Sequence, residues 1–188
     1  YYNNVIVEAS RGTIQHINTK ASYQNITFND EFSILKGQCY VDSLLFMADG
    51  SITNIDTVMY THISQTGSVS GKENASYFSS LTIESEASIK GNCRIDTAHF
   101  NDKASIKENN NIQFCKVENE CVISGNNTGH YFILHNNGSF IENNTFDTLI
   151  CEQGYVYKYF GGSNTAINQH IGLQGACAFP VTMQTDTN

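Results

Sequence analysis

The stretch "IDTAHFNDKASIKENN", Ile95 to Asn110, carries an apolar pattern that returns one unit later along the chain. Its apolar positions advance by three, two and six residues, and the next unit repeats those steps. The positions are Ile95, Ala98, Phe100 and Ile106, followed by Ile112, Cys115, Val117 and Ile123. A step of two is the alternation of a β-strand, whereas steps of three and six turn corners. A unit of about 17 residues cannot bury its apolar edge alone, so stacked units are expected to form a parallel β-helix.

A second repeated element predicts the number of coils. It consists of Gly or a small residue, a Ser-like residue and a β-branched or aromatic residue, and an Asn- or Gly-rich corner follows it. The nine copies are Gly12-Thr13-Ile14, Phe32-Ser33-Ile34, Gly50-Ser51-Ile52, Gly67-Ser68-Val69, Ala87-Ser88-Ile89, Ala104-Ser105-Ile106, Cys121-Val122-Ile123, Gly138-Ser139-Phe140 and Gly154-Tyr155-Val156. Their spacing predicts about nine coils of roughly 17–20 residues.

Stacking of these coils predicts two inward columns of apolar side chains. The first contains Ile26, Leu44, Val58, Leu81, Ala98, Cys115, Phe132 and Leu149, and the second contains Phe28, Phe46, Tyr60, Ile83, Phe100, Val117, Leu134 and Cys151. Parallel crossovers prefer the right hand, and the observed spacing does not fit the six-residue repeat of left-handed helices. The predicted fold is all-β: a right-handed parallel β-helix (solenoid) over 1–160, with a C-terminal β segment over 161–188 that continues or caps it.

The composition is that of a folded protein, and the charge argues against nucleic acid and anionic membranes as partners. Of the 188 residues 40% are apolar and 15% are charged. The formal charge is −8 and the basic residues are scattered, which argues against nucleic acid or an anionic membrane as a partner. No apolar run approaches the roughly 18 residues of a transmembrane segment. The chain begins at Tyr1 without an initiator Met or a signal peptide, and open strand edges are expected at both ends, so we expect a processed or excised piece of a longer solenoid.

The C-terminal stretch from Tyr155 onward, "YVYKYFGGSNTAINQHIGLQGACAFPVTMQTDTN", alternates strongly. It resembles a segment of very large surface proteins of Bacteroidota, including gliding-motility adhesins and other type IX secretion substrates. The matching residues are Phe146, Leu149, Gly154, Tyr155, Gly162, Thr165, Ile167, Leu173, Gly175, Cys177, Pro180, Val181, Met183 and Gln184. The resemblance implies an extracellular, cell-surface location and a non-catalytic structural or adhesive role. The partners it implies are other segments of the same large protein, secretion or gliding machinery, and surface glycans.

Four Asp-Ser/Thr-apolar triplets resemble the O-glycosylation consensus of exported Bacteroidota proteins. They are Asp42-Ser43-Leu44, Asp56-Thr57-Val58, Asp96-Thr97-Ala98 and Asp147-Thr148-Leu149, and they are expected at one place in the coil. The third residue of each triplet belongs to the predicted core, so the hydroxyls of Ser43, Thr57, Thr97 and Thr148 are expected to face outward. Asp followed by Thr is also good corner chemistry, so glycosylation and a structural role both remain open.

The six cysteines show no metal-binding pattern, because no short Cys-x-x-Cys pair occurs among them. Cys115 and Cys151 fall in the predicted core columns. A bridge between Cys151 and Cys177 would attach the terminal segment to the solenoid, and an exported protein permits such a bridge. The six histidines are spread over different coils, so neither a metal site nor a cofactor is predicted.

Three classes of function are compatible with such a solenoid. A stiff, glycosylated rod in a large surface protein requires no catalytic group, and we favour it. A polysaccharide lyase or hydrolase needs a cleft with clustered charges or paired carboxylates, whereas these coils are nearly minimal and Glu84 with Glu86 is typical of a solvated edge. A glycan-binding module would use Tyr155, Tyr157 and Tyr159, although alternating tyrosines are more typical of half-buried strands. We predict that the protein is not an enzyme.

Overall fold

The computed structural model describes residues 1–73, 75–175 and 180–186, except for the side chains of residues 17–19 and 186. Within these ranges the chain forms eighteen β-strands and no helix, so the all-β prediction is confirmed. The strands are β1 (Tyr2–Val7), β2 (Thr13–Phe28), β3 (Ser33–Phe46), β4 (Gly50–Thr53), β5 (Thr57–Ile63), β6 (Gly67–Ser70), β7 (Ser76–Ile83), β8 (Ala87–Lys90), β9 (Cys93–Phe100), β10 (Ala104–Lys107), β11 (Asn111–Val117), β12 (Cys121–Ser124), β13 (Thr128–Leu134), β14 (Gly138–Ile141), β15 (Asn143–Glu152), β16 (Val156–Phe160), β17 (Asn164–Gln174) and β18 (Thr182–Asp186).

The strands stack into a parallel β-helix of about ten turns. From β5 onward a longer strand pairs with the longer strand of the next turn, and a shorter strand pairs with the next shorter one. The long strand β3 supplies both the shorter and the longer strand of its turn, since its first part pairs with β4 and its second part pairs with β5. In the middle turns the register joins Ala87, Ala104 and Cys121, which confirms the repeat length predicted there.

The longer strands contribute three columns of side chains to the interior, and the shorter strands add a further buried column that includes Ile89 and Ile106. The first contains Val5, Ile26, Leu44, Thr61, Leu81, Ala98, Cys115, Phe132, Leu149 and Ile171, the second contains Val7, Phe28, Phe46, Ile63, Ile83, Phe100, Val117, Leu134, Cys151 and Leu173, and the third contains Val41, Val58, Phe78, Ile95, Ile112, Gly129, Phe146 and Ile167. From Phe28 to Cys151 the second column is fully buried. Columns that continue through successive turns give the rod a single core.

The predicted columns are wrong for the turn that contains Val58. Thr61 and Ile63 occupy the first two columns there. Val58 is buried in the third column, whereas the side chain of Tyr60 is 49% exposed. Steps of three and two residues lead from Val58 to Thr61 and Ile63, as in the clearest units, and a buried threonine stands where an apolar residue is usual.

Six of the nine predicted triplets, from Gly50-Ser51-Ile52 to Gly138-Ser139-Phe140, stack in register. Gly12-Thr13-Ile14 is also in register, through Ile34 and Leu35, whereas the other two triplets were placed wrongly. Ser33 pairs with Gly50, so that triplet begins one residue later than predicted. Tyr157 rather than Gly154 pairs with Gly138, because a turn with Gly154 at a φ of 82° lengthens that coil.

The C-terminal segment continues the solenoid. Strand β17 pairs with β15, and β18 pairs with β16, both in parallel. Its described residues thus add parallel strands to the stack, while the predicted division of the chain at residue 160 stays a prediction.

Three buried asparagines, Asn110, Asn127 and Asn144, form a ladder at the corner where the longer strands begin, and each is at most 2% exposed. Asn110 Nδ2 donates to Asn127 Oδ1 at 2.9 Å, and Asn127 Nδ2 donates to Asn144 Oδ1 at 3.0 Å. At this corner Gly125 has a φ of 99°, and a Cβ there would lie 2.5 Å from the carbonyl oxygen of Glu108. Because buried polar groups need partners, the ladder fixes the corner of three successive coils.

Both ends of the rod leave apolar side chains uncovered. At the C-terminal end Ile171 and Leu173 continue two inner columns but are 41% and 48% exposed. At the N-terminal end Val5 and Val7 of β1 begin the same two columns, but they are only half-buried. An open parallel edge with apolar side chains is a template for a further strand.

Candidate functional site

The four predicted glycosylation positions do not share one row. The register places Ser43, Thr97 and Thr148 in a single outward row of the longer strands. Thr57 instead pairs with Tyr40, three residues before Ser43. The predicted common position is therefore wrong for Thr57, because the same shift that moves Val58 out of its predicted column moves the residue before it.

The four residues that carry these hydroxyl groups also differ in solvent exposure. Ser43, Thr57 and Thr97 are half-buried on the outer surface. Thr148 is only 9% exposed, and His170 follows it in the same row. Thr148 therefore lies in the outward row, but the expectation that its hydroxyl is reachable is wrong.

The aspartates of three triplets are tied to residues of neighbouring coils. The contacts are Lys72 with Asp56, the Tyr77 hydroxyl donating to Asp96, His130 Nδ1 with Asp147 at 2.7 Å, and Asn168 Nδ2 donating to Asp147 at 3.2 Å. The hydrogen bond from His130 is the largest cause that lowers the pKa of the Asp147 carboxyl. These contacts favour the structural reading of the aspartates, while glycosylation of the hydroxyls stays a prediction.

The alternating tyrosines near the C-terminus hold the last turns together. Tyr157 is fully buried, and its hydroxyl donates to the carbonyl oxygen of Leu134 at 3.0 Å. Tyr155 and Tyr159 pack against the core. Tyr157 and Tyr159 are thus strand residues of β16, whereas Tyr155 precedes that strand, and the buried ring of Tyr157 offers no free face to a ligand.

The described cysteines are buried thiols. Cys39, Cys93, Cys115, Cys121 and Cys151 form no disulfide with one another. Burial raises the pKa of the thiols of Cys39, Cys93, Cys121 and Cys151 to about 12, so the reactive thiolate is disfavoured. Cys177 lies outside the described residues, and the Cys151–Cys177 bridge stays a prediction.

One edge of the rod, where the longer strands end, collects histidines and carboxylates. His135 Nδ1 lies 2.7 Å from Glu152 and 3.9 Å from Glu118, and Lys116 Nζ lies 2.5 Å from Glu118. The hydrogen bond from Lys116 is the main cause that lowers the pKa of Glu118, and the charges of His135 and His99 add to it. The edge is an ion-pair network, in which Lys116 favours the ionised form of Glu118 over the protonated form that a general acid needs. Among the described residues, no group of three or more potential ligands could hold a metal ion.

A groove of about 650 Å³ follows the ladder corner along the rod axis, and we call it the asparagine groove. One wall consists of Asn92, Asn109 and Asn126, and the other consists of Arg94, Asn111 and Thr128. Glu73 also lines the groove, and Cys93 and the ladder residue Asn110 lie between the walls. The groove was not predicted from the sequence, because Asn-rich corners were interpreted as turns. The regular spacing of Asn92, Asn109 and Asn126, one coil apart, is the signal that could have found it.

No protein-family model, curated protein or solved structure matches this chain. The resemblance to Bacteroidota surface proteins therefore stays a prediction carried by the residues quoted above. Nowhere in residues 1–73, 75–175 and 180–186 is there a helix long and apolar enough to cross a lipid bilayer.

Proposed function

We propose that this protein is a non-catalytic structural and adhesive rod, one segment of a large exported protein on the cell surface. The observation that carries the proposal is the uninterrupted stack of about ten turns around one core. In a solenoid each coil is stabilised by its neighbours, so a continuous stack holds its two ends at a fixed distance. A spacer or stalk needs this property, whereas an enzyme does not.

The uncovered ends support the placement of the rod in a longer protein. Ile171 and Leu173 expose side chains at positions that every inner turn buries. One more coil stacked on them would remove that apolar surface from water, which is favourable at about 25 cal/mol per Å². A longer solenoid therefore stabilises the ends that this segment leaves open.

The described carboxylates favour a structural role over glycan cleavage. Glycoside hydrolysis needs two carboxyl groups that face each other across the substrate. Here Glu118 pairs with Lys116 and Glu120 pairs with Lys103, both on the outer edge of the rod. A carboxylate held by a lysine is a poor general acid, because the cation favours its ionised form.

Deletion of one whole coil tests whether rod geometry is the function. Removing residues 50–66 from the parent protein brings Gly67 to the position of Gly50, with which it pairs in register, so the columns realign. We expect the shortened protein to fold, with its β circular-dichroism signal intact, and cells that carry it to retain adhesion. The control removes only residues 50–57, which shifts the later columns and should unfold the neighbouring coils. Lost adhesion in a folded whole-coil deletion would contradict the proposal.

Location on the surface is tested separately. Antibodies raised against the recombinant chain should label intact cells of the source organism, and protease added to intact cells should remove that label. Labelling that appears only after the cells are permeabilised would contradict an exported protein.

O-glycosylation belongs to the same proposal. Ser43, Thr57 and Thr97 are half-buried and within reach of a modifying enzyme, so each is expected to carry a glycan in protein from its native host. Thr148 is 9% exposed, so a glycan there would have to be added before folding. Peptide mass spectrometry checks this, with Asp96→Glu as the variant that keeps the charge but breaks the triplet. Unmodified peptides at all four positions would refute this part of the proposal.

A further inference from the structure

We infer that the asparagine groove binds an extended, uncharged oligosaccharide chain. The inference deepens the proposed function and rests on it, because it assigns an adhesive contact of the rod to one face and one class of ligand. The groove differs from the tyrosines considered above, since the side chains of its two walls are polar and all of them except that of Asn92 are exposed.

The walls of the groove repeat with the coils. Asn111 pairs in register with Arg94 on one side and with Thr128 on the other. Neighbouring side chains of that wall are therefore one strand spacing apart, about 4.8 Å. On the opposite wall Asn126 Nδ2 donates to Asn109 Oδ1 at 3.3 Å. A polymer of repeated hydroxylated rings lying along the axis would meet a similar set of polar groups at each coil.

The amides are oriented by one another and keep hydrogen-bonding capacity for a ligand. Gln113 Nε2 donates to Asn111 Oδ1 at 2.6 Å, and Asn111 Nδ2 donates to Thr128 Oγ1 at 2.9 Å. The bond from Asn126 to Asn109 leaves Asn109 Nδ2 and Asn126 Oδ1 without a partner among the described residues. A sugar hydroxyl both donates and accepts, so adjacent amide N–H and C=O groups suit it.

Arg94 supplies a second, independent observation. Its guanidinium lies 5.7 Å from the centre of the Tyr77 ring, and the Tyr77 hydroxyl donates to Asp96. Arg94 forms no ion pair with a carboxylate in the part of the chain that the structure describes. A guanidinium that lies over an aromatic ring and has no carboxylate partner can donate two hydrogen bonds to neighbouring oxygen atoms of a ligand.

The charge of the protein and the hydrogen bonds at the floor of the groove restrict the class of ligand that can bind. A formal charge of −8 repels a polyanion, which favours a neutral chain. A peptide that adds a strand would need free backbone groups, but the floor of the groove uses them. Asn110 Oδ1 accepts from the Cys93 backbone N–H at 3.2 Å, and Asn127 Oδ1 accepts from the Asn110 backbone N–H at 3.2 Å.

Calorimetric titration of the full chain tests the inference. The probes are cellohexaose, xylohexaose, mannohexaose and laminarihexaose, with hexagalacturonate as the charged comparison. We expect saturable binding of at least one neutral hexasaccharide. Arg94→Lys keeps the positive charge but loses the bidentate hydrogen-bond donors of the guanidinium, and Asn126→Ala removes an amide group. Each substitution should weaken binding about tenfold. The matched control is Asn136→Ala, which removes an amide from another corner, where it donates to Asn119 at 3.0 Å, and should leave affinity unchanged.

Three results would overturn the inference. They are the absence of saturable binding to every probe, binding of hexagalacturonate alone, and binding that Arg94→Lys and Asn126→Ala leave unchanged while circular dichroism shows both variants folded. Labelling of intact cells does not depend on this groove. A rod that is displayed on the surface but binds none of these sugars would therefore refute the groove and leave the proposed rod standing.

Discussion

Replacing Asn127 with Leu should be the most damaging single change in the asparagine ladder. Its side chain makes four hydrogen bonds: it donates to Ser124 O at 2.8 Å and to Asn144 Oδ1 at 3.0 Å, and it accepts from the backbone and side-chain nitrogens of Asn110 at 3.2 and 2.9 Å. Leucine fills a similar space and provides none of these bonds. The substitution therefore tests the hydrogen bonds with little change in packing.

The expected loss of stability is graded along the ladder. The side chain of Asn110 makes three hydrogen bonds and that of Asn144 makes two. At about 1 kcal/mol for each bond, replacement by Leu should lower the free energy of unfolding by about 4 kcal/mol at Asn127, about 3 at Asn110 and about 2 at Asn144. The exposed Asn126, replaced in the same way, should cost less than about 0.5 kcal/mol.

Urea unfolding followed by circular dichroism measures the order of these losses. Hydrogen exchange should show that the added exchange is confined to residues 104–144 in the Asn127→Leu protein. If Asn144→Leu proved as costly as Asn127→Leu, or if all three changes cost less than that of Asn126, the ladder would not stabilise this corner.

Burial and charge determine three other outcomes. Phe100→Asp should unfold several coils, because a buried unpaired carboxylate costs several kcal/mol, whereas His99→Asp on the outer face should be mild; equal melting temperatures would contradict the column. Lys116 and His135 lower the pKa of Glu118, so its stabilising effect is present above the ordinary Glu pKa of about 4.3 and is lost as the pH falls through the lowered value. The difference in urea stability between wild type and Glu118→Gln should therefore shrink as the pH is lowered from about 4.3, and a difference that stays constant at lower pH would contradict the ion pairs. The five described cysteines should react with Ellman's reagent only after unfolding, and rapid labelling of the native protein would show that their burial is wrong.

The register of the repeat could be predicted from the sequence where successive coils have equal length and each column receives an apolar residue. Ala98 and Cys115, and likewise Phe100 and Val117, occupy equivalent positions in both the sequence pattern and the register. Apolar spacing decides this because a slip of one residue would turn every inward side chain to the solvent.

The turn of Val58 shows where such a pattern fails. Val58 and Tyr60 look like an alternating strand, whereas the buried member of the first column is Thr61. Hydrophobicity alone cannot identify a buried threonine, because the neighbouring coils rather than its own chemistry place it inside.

The ladder and the groove were not predictable from local sequence for a related reason. Asparagines occur next to each other at this corner, as in Asn109-Asn110 and Asn126-Asn127. Turn propensity favours asparagine at either position. Only the stacked coils determine which of the two neighbours enters the ladder and which lines the groove.

The direction of the bonds between coils has a mechanical consequence. These bonds run along the rod axis and join strands that are one coil apart in sequence, such as those of Ala104 and Cys121. Tension applied at the two chain ends loads the bonds of the outermost coil first, instead of shearing all coils together. Each coil that peels away frees roughly 17 residues, which span about 55–60 Å when extended, while the rod shortens by only about 4.8 Å. Such a rod unfolds coil by coil under tension, so it can dissipate a sudden force before the full load reaches its attachment point.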